Sequence, residues 1–379
     1  MKKDDVKRAT RPRPSAEPPR DEPIEKPPEE HDLGALADAA RRTVSMHIQP
    51  TDAYPDHLPP GYRMRGVSIL KDDTGHTRLT WIKTAVDPDW HVGGTDECVV
   101  PAAVIPAPDH LCDDQLAVYP IGDPHIGMHA WNRDAGGDFD LDIALRLYLG
   151  ASMTAFRKAP VGSDALLIDL GDFYHFDDAL YRTSSGRVTV DADSRYQKVV
   201  HTGQRIADTL LEAALTQHRK VTWWTLRGNH DAQASVALYS YLRGRWGQHP
   251  RVTIDDTAGK FHYLRWHSNL LAATHGENAR KRRATLHECM TVDRRQDWGE
   301  TRHAKWHIGH VHHTSKTEAG GVEQETYRIL APNDAWHQAQ GYRAARDIRV
   351  EIWHKEYGHT TTHITTPQEI EAALQEAAL

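Results

Sequence analysis

The chain has 379 residues, 26% of them charged and 39% hydrophobic, with a formal net charge of -7 and a mean hydropathy of -0.66. This is the profile of one large, polar-surfaced domain with appendages. No apolar run approaches the roughly 20 residues that cross a bilayer, and the basic start has no apolar segment behind it, so neither a membrane partner nor a secretory leader is expected and the cytoplasm is the expected compartment.

Residues 1–31 are rich in Pro, Glu, Lys and Arg and almost free of apolar side chains, which predicts a disordered leader. Asp32 as N-cap, with Leu33, Leu36, Ala40 and Val44 on one side, predicts a short helix over residues 32–46. Residues 62–84 hold two alternating segments around Asp72-Asp73-Thr74-Gly75, a β-hairpin signal, and residues 32–110 read as a small N-terminal module. From Gln115 the texture changes. Five short apolar runs follow, at 116–121, 166–170, 221–226, 270–274 and 306–308, with helical spacing between them over 142–158 and 199–217. Strands alternating with helices predict an α/β domain over 111–365, with ligands gathered at the carboxyl ends of its strands. Further strands are expected at 326–330 and 348–355. Thr366-Pro367 then opens a C-terminal helix over 366–379. The paired tryptophans Trp223 and Trp224 fall within a strand and read as core packing.

The acidic balance speaks against a general nucleic-acid coat. With 26 histidines and only Cys98, Cys112 and Cys289, which lack metal-ligand spacing, a transition-metal site would be built from imidazole and carboxylate. Each apolar run ends in such groups: Asp123-Pro-His125, Gly171-Asp172, Gly228-Asn229-His230-Asp231, His275-Gly276 and Gly309-His310-Val311-His312. Any one of these also fits a turn or a packed histidine. Five in series are hard to obtain from turns alone.

This ordered set resembles the signature of the calcineurin-like metallophosphoesterase superfamily, over about residues 115–315. The resemblance implies a four-layer αββα sandwich with a dinuclear centre where the loops of two mixed sheets meet. Asp123, His125 and His312 would hold one metal, Asn229, His275 and His310 the other, and Asp172 would join the two. His230 would be the non-ligand histidine that stabilises the pentacovalent state or protonates the leaving oxygen. Two divalent cations clamp a phosphate and acidify a shared water, giving hydroxide as the nucleophile. Mixed nitrogen and oxygen donors favour Mn²⁺, with Fe, Co or Zn as alternatives.

The motif Gly-Asp-Phe-Tyr-His175, and Asp231 where protein phosphatases carry glutamate, look more like the Mre11/SbcD nuclease branch, while the N-terminal hairpin module, the core and the segment Asn333-Asp334-Ala335-Trp336-His337 together look like phage- or prophage-encoded members. The first of these resemblances makes His175 a substrate-side candidate and DNA the expected substrate. The basic run Arg280-Lys281-Arg282-Arg283, a few residues past His275, could track a phosphate backbone, although such a run is also an ordinary solvated face. The expected activity is a DNA exonuclease or phosphodiesterase. The alternatives are a small-molecule phosphomonoesterase, a cyclic-nucleotide phosphodiesterase, or a binding scaffold without turnover.

Overall fold

The computed structural model describes residues 62–71, 77–86, 101–277 and 283–377. The leader over 1–31, the helix over 32–46 and the basic residues Arg280, Lys281 and Arg282 lie outside the described residues. The chain divides into two compact units, Met1–Asp96 and Glu97–Leu379. In the first, β1 (Tyr62–Lys71) and β2 (Thr77–Val86) pair antiparallel, Tyr62 opposite Val86 and Lys71 opposite Thr77.

The second unit carries its strands in the order β3 (Gln115–Ile121), β4 (Asp164–Asp169), β5 (Lys220–Thr225), β6 (Val252–Ile254), β7 (His262–Trp266), β8 (Asn269–Thr274), β9 (His303–Ile308), β10 (Ser315–Ala319), β11 (Val322–Thr326), β12 (Ile348–His354) and β13 (Gly358–Thr365). Its helices are α1 (Asn132–Ala135), α2 (Leu141–Ala155), α3 (Tyr196–Gln217), α4 (Ala234–Trp246), α5 (Leu286–Asp293), α6 (Arg295–Glu300), α7 (Ala335–Ala339) and α8 (Pro367–Ala377). None of the helices described is long and apolar enough to cross a membrane.

The strands form two mixed sheets, β13-β12-β3-β4-β5-β6 and β10-β11-β9-β8-β7. In the first, β3 to β6 run parallel and β12 joins antiparallel to β3. Successive side chains of a strand point to opposite faces, and the sequence uses both faces of each central strand. Leu116, Val118, Leu166, Ile168 and Trp224 turn inward to meet Trp266, Leu271 and Ala273 of the second sheet. Their neighbours Ala117, Tyr119, Leu167 and Trp223 turn outward and are covered by α2, α3 and α4. On the far side Leu270, Ala272, Trp306 and Ile308 pack on Leu286 and Met290 of α5. The layers are helix, sheet, sheet, helix: the α/β class and αββα architecture expected from the motifs are those of the structure.

A polar tie joins the two sheets. Lys305 on β9 is fully buried, with Nζ 2.7, 2.6 and 2.8 Å from carboxylate oxygens of Glu323, Glu325 and Glu351. Burial opposes its charge, but the three carboxylates outweigh that and raise its pKa above the usual lysine value.

One strand was misplaced by the apolar pattern. The expected strand over 326–330 is instead β11, Val322–Thr326, which makes a two-residue hairpin with β10 through Gly320 and Gly321, both at positive φ. Its buried side chains include Gln324 and Glu325, so it carries no apolar signature. Residues 327–330 run on beyond the sheet.

Candidate metal centre

Every motif residue follows directly on a strand. Asp123 and His125 leave β3, Asp172 leaves β4, Asn229 and His230 leave β5, His275 leaves β8, and His310 and His312 leave β9. Parallel neighbours end at the same level, so their loops meet at one edge of the sandwich. The backbone there is forced. Asp123, His125, Asp172, His310 and His312 have φ of 29, 47, 50, 70 and 55°, a left-handed region that costs a residue with a side chain of order 1–3 kcal/mol and is concentrated at functional sites. Two glycines allow the close approach. A Cβ on Gly228 would lie 1.9 Å from Asp172 Oδ1, and one on Gly309 would lie 2.5 Å from Asp123 Oδ1.

Three donor groups result; besides that of His125, His175 and His230, two are made of motif ligands. In the first, ligand atoms of Asp123, His125 and His312 lie within 4.8 Å of one another, and in the second those of Asp172, His275 and His310 do so. In the first group His312 Nε2 is 3.1 Å from Asp123 Oδ2 and 3.2 Å from His125 Nε2. In the second, His275 Nδ1 donates to the Leu170 carbonyl at 2.8 Å, so its Nε2 is the free donor atom; it lies 3.2 Å from Asp172 Oδ2 and 3.0 Å from Asn229 Oδ1. Backbone amides hold both carboxylates: His310 N donates to Asp123 Oδ2 and His230 N to Asp172 Oδ1, each at 2.7 Å.

Burial, and the packing of imidazoles against one another and against carboxylates, sets the electrostatics of the site. Burial, reinforced by His230, His312 and His175, holds His125 well below the ordinary histidine range. Burial opposes charge on Asp172, yet His275 and His230 pull its carboxyl well below the usual range. Burial likewise opposes charge on His275, and Asp172 overrides it to lift the ring to about 10. Asp123 Oδ1 is buried without any hydrogen-bond partner. Converging imidazole nitrogens and an orphaned carboxylate oxygen are a donor set that cations of the Mn²⁺ to Zn²⁺ series satisfy, so the residues fit the expected metals.

The centre floors a cleft of about 500 Å³ lined by His125, Asp172, Asn229, His230, His310 and His312, with walls drawn from residues 183–191 and 334–342. No lysine or arginine among the described residues lines it. His230 borders the cleft, its Nδ1 donating to the His175 carbonyl at 2.7 Å. His175, 1% exposed, does not: its ring stacks behind His230 at 5.2 Å, and its Nδ1 is 3.2 Å from His125 Nδ1. Burial first, then His230, lowers its pKa to about 3. Arg283 points elsewhere, donating to the Ser315 carbonyl at 3.2 Å.

Two aspartates that stitch the site together were not singled out as site residues. Asp231 accepts from Tyr174 N at 3.1 Å and Gly228 N at 3.0 Å, locking the loop after β4 to the loop after β5. Asp177 accepts from Gln233 N and Ala234 N, at 2.9 and 2.7 Å, at the start of α4. The wall over residues 183–191 was also missed, because its polar run has no periodicity to read. Asp231 was detectable as the residue that closes the Gly-Asn-His motif.

No family model and no curated protein matches the sequence. Among solved structures, the chain is similar to a conserved predicted phosphoesterase from Streptococcus pneumoniae, at 11% identity over 68% of this chain and 92% of that one, with a TM-score of 0.27. It is also similar to Vps29 of Chaetomium thermophilum, at 12% identity over 66% and 97% of the two chains and a TM-score of 0.30. A single mutant of Vps29 from Entamoeba histolytica matches at 12% identity over 66% and 98%, with a TM-score of 0.26. Identities and TM-scores this low transfer no chemistry to this chain.

Proposed function

We propose that this chain is a metal-dependent phosphodiesterase with a dinuclear centre, acting on nucleic-acid strands in the manner of the Mre11/SbcD-type nucleases. The observation that carries this reading is the convergence of two donor groups, each within 4.8 Å, on the floor of one cleft. Asp123, His125 and His312 would hold one cation, Asn229, His275 and His310 the other, and the Asp172 carboxylate would serve both. When bound, two divalent cations supply the charge that neutralises phosphate oxygens and makes water acidic near neutral pH.

His230 handles the proton of the leaving group. Its Nδ1–H is committed to the His175 carbonyl, which fixes the ring and leaves Nε2 for the substrate. As the bond from phosphorus to the leaving oxygen breaks, that oxygen takes the proton from Nε2, while a water adds to phosphorus and passes a proton of its own to solvent, which returns one to Nε2. His175 acts through this ring from behind, a positioning role in place of the substrate contact expected of it.

One observation favours a second reading. A cleft without lysine or arginine among the described residues suits a small phosphoester, whether a monoester or a cyclic nucleotide, better than a long strand tracked by charge. Metal-stripped protein reloaded with Mn²⁺ and offered end-labelled single- and double-stranded DNA, bis-p-nitrophenyl phosphate and p-nitrophenyl phosphate separates the two. Cleavage of DNA and the diester but not the monoester supports the nuclease. Turnover of the monoester with DNA untouched overturns it in favour of the small-molecule enzyme.

A further inference from the structure

One wall of the cleft is aromatic, and the proton and ligand roles above do not use it. Asp334, Trp336, His337 and Tyr342 all border the cleft. The turn that carries them is pinned: Asp334 Oδ1 accepts from His337 N at 2.8 Å and from His337 Nδ1 at 2.7 Å. Asn333 Nδ2 donates to the Tyr342 carbonyl at 2.9 Å, and Tyr342 N donates to the His337 carbonyl at 3.1 Å. The His337 ring stacks on His312, with centroids 4.9 Å apart and planes 25° apart. Trp336 stands edge-on to His337, also at 4.9 Å, with Tyr342 6.1 Å away. Despite this bracing the indole is 59% exposed.

An indole in the core, such as that of Trp223, Trp224, Trp246 or Trp306, is fully buried here, because burying so large an apolar surface is what makes tryptophan worthwhile. Trp336 instead holds its ring in a fixed place at the cleft, two ring-to-ring steps from a candidate ligand. Val188, on the other wall, is likewise 59% exposed. A flat apolar group beside the phosphate would cover these surfaces, and a nucleobase is such a group: every base has a π-face, so stacking needs neither hydrogen bonds nor cationic side chains, of which none among the described residues lines this cleft.

We propose that Trp336, braced by His337 and Tyr342, is the platform on which the base next to the scissile phosphate stacks, making the substrate a nucleotidyl phosphoester. This rests on the phosphodiesterase reading and names the substrate class of that site.

The test pairs binding with turnover. Calorimetry measures the Kd of thymidine 5′-monophosphate and of inorganic phosphate for the Mn²⁺-loaded wild type, Trp336→Ala and Trp336→Phe. Turnover of thymidine 5′-(p-nitrophenyl phosphate) is compared with that of methyl p-nitrophenyl phosphate, which has the same leaving group and no base. The expected result is a nucleotide Kd and nucleoside-ester KM raised on the order of 5- to 150-fold in Trp336→Ala, with phosphate binding and the methyl ester unaffected and most of the loss restored in Trp336→Phe. Equal nucleotide affinity in wild type and Trp336→Ala overturns the proposal. So does a parallel loss of phosphate binding, which would mark Trp336 as structural. Selective nucleotide binding by a wild type that turns over neither ester sustains the platform and overturns the catalytic reading alone.

Discussion

Gly228→Ala tests the way the fold brings its loops together over Asp172. The added Cβ would sit 1.9 Å from Asp172 Oδ1 and 2.3 Å from Asp172 N, against 3.4 Å for ordinary contact, so something must move on the order of 1.5 Å. The atoms met belong to a buried carboxylate and to backbone, and neither can rotate away. Overpacking of this kind costs about 1–3 kcal/mol, a melting temperature lower by several degrees. The larger effect falls on the site. The bond from His230 N to Asp172 Oδ1, 2.7 Å long, must break or stretch, and disturbing the groups that orient a ligand weakens metal affinity roughly 10- to 100-fold. Calorimetric titration with Mn²⁺ and a thermal melt read the two effects separately. Gly299→Ala is the control, because a Cβ there meets nothing within 4 Å, and it should leave metal affinity unchanged. Wild-type Mn²⁺ affinity in Gly228→Ala would refute the close-approach argument.

Three further predictions follow from other parts of the structure. His230→Ala should lower kcat by about 10²- to 10⁴-fold while metal content, measured by atomic emission, stays at the wild-type level; loss of metal as well would show that His230 is a ligand. Lys305→Met leaves Glu323, Glu325 and Glu351 facing one another without their cation, and should cost about 3–5 kcal/mol in chemical denaturation; an unchanged midpoint would mean that the tie between the sheets contributes nothing. His218 is buried, 2.8 Å from the Tyr119 hydroxyl and 2.9 Å from that of Ser163, and burial lowers its pKa to about 3. The unfolded chain, with a histidine pKa near ~6.5, therefore binds the extra proton, so this contribution is complete above that pH and is lost as pH falls toward 3. Between pH 7 and pH 5 the wild type should lose about 2 kcal/mol more stability than His218→Gln; equal losses would contradict a neutral His218.

The sequence made the centre legible because its chemistry is local. An apolar run ending in Gly-Asp or Gly-His states both the strand and the candidate ligand at its end, and residues 116–121 and 166–170 became β3 and β4 with Asp123 and Asp172 beyond them. Trp223 and Trp224 show that alternation was equally readable, one turned to the helices and the other to the second sheet. What was hidden is non-local. His175 has the residue type and spacing of a substrate contact, but only the packed structure shows it 1% exposed behind His230. β11 escaped because the buried side chains Gln324 and Glu325 are polar, Glu325 being held by Lys305 and Arg349, which are distant in sequence. The exposed indole of Trp336 acquires meaning only beside His337 and His312.

The most direct test of the account is a calorimetric titration of metal-stripped protein with Mn²⁺, run on the wild type and on Asp172→Asn. The proposed centre, in which the Asp172 carboxylate serves both cations, predicts two equivalents per wild-type chain and a severe loss at both sites in Asp172→Asn. Binding of no metal by the wild type, or two equivalents with undiminished affinity in Asp172→Asn, would contradict the dinuclear centre.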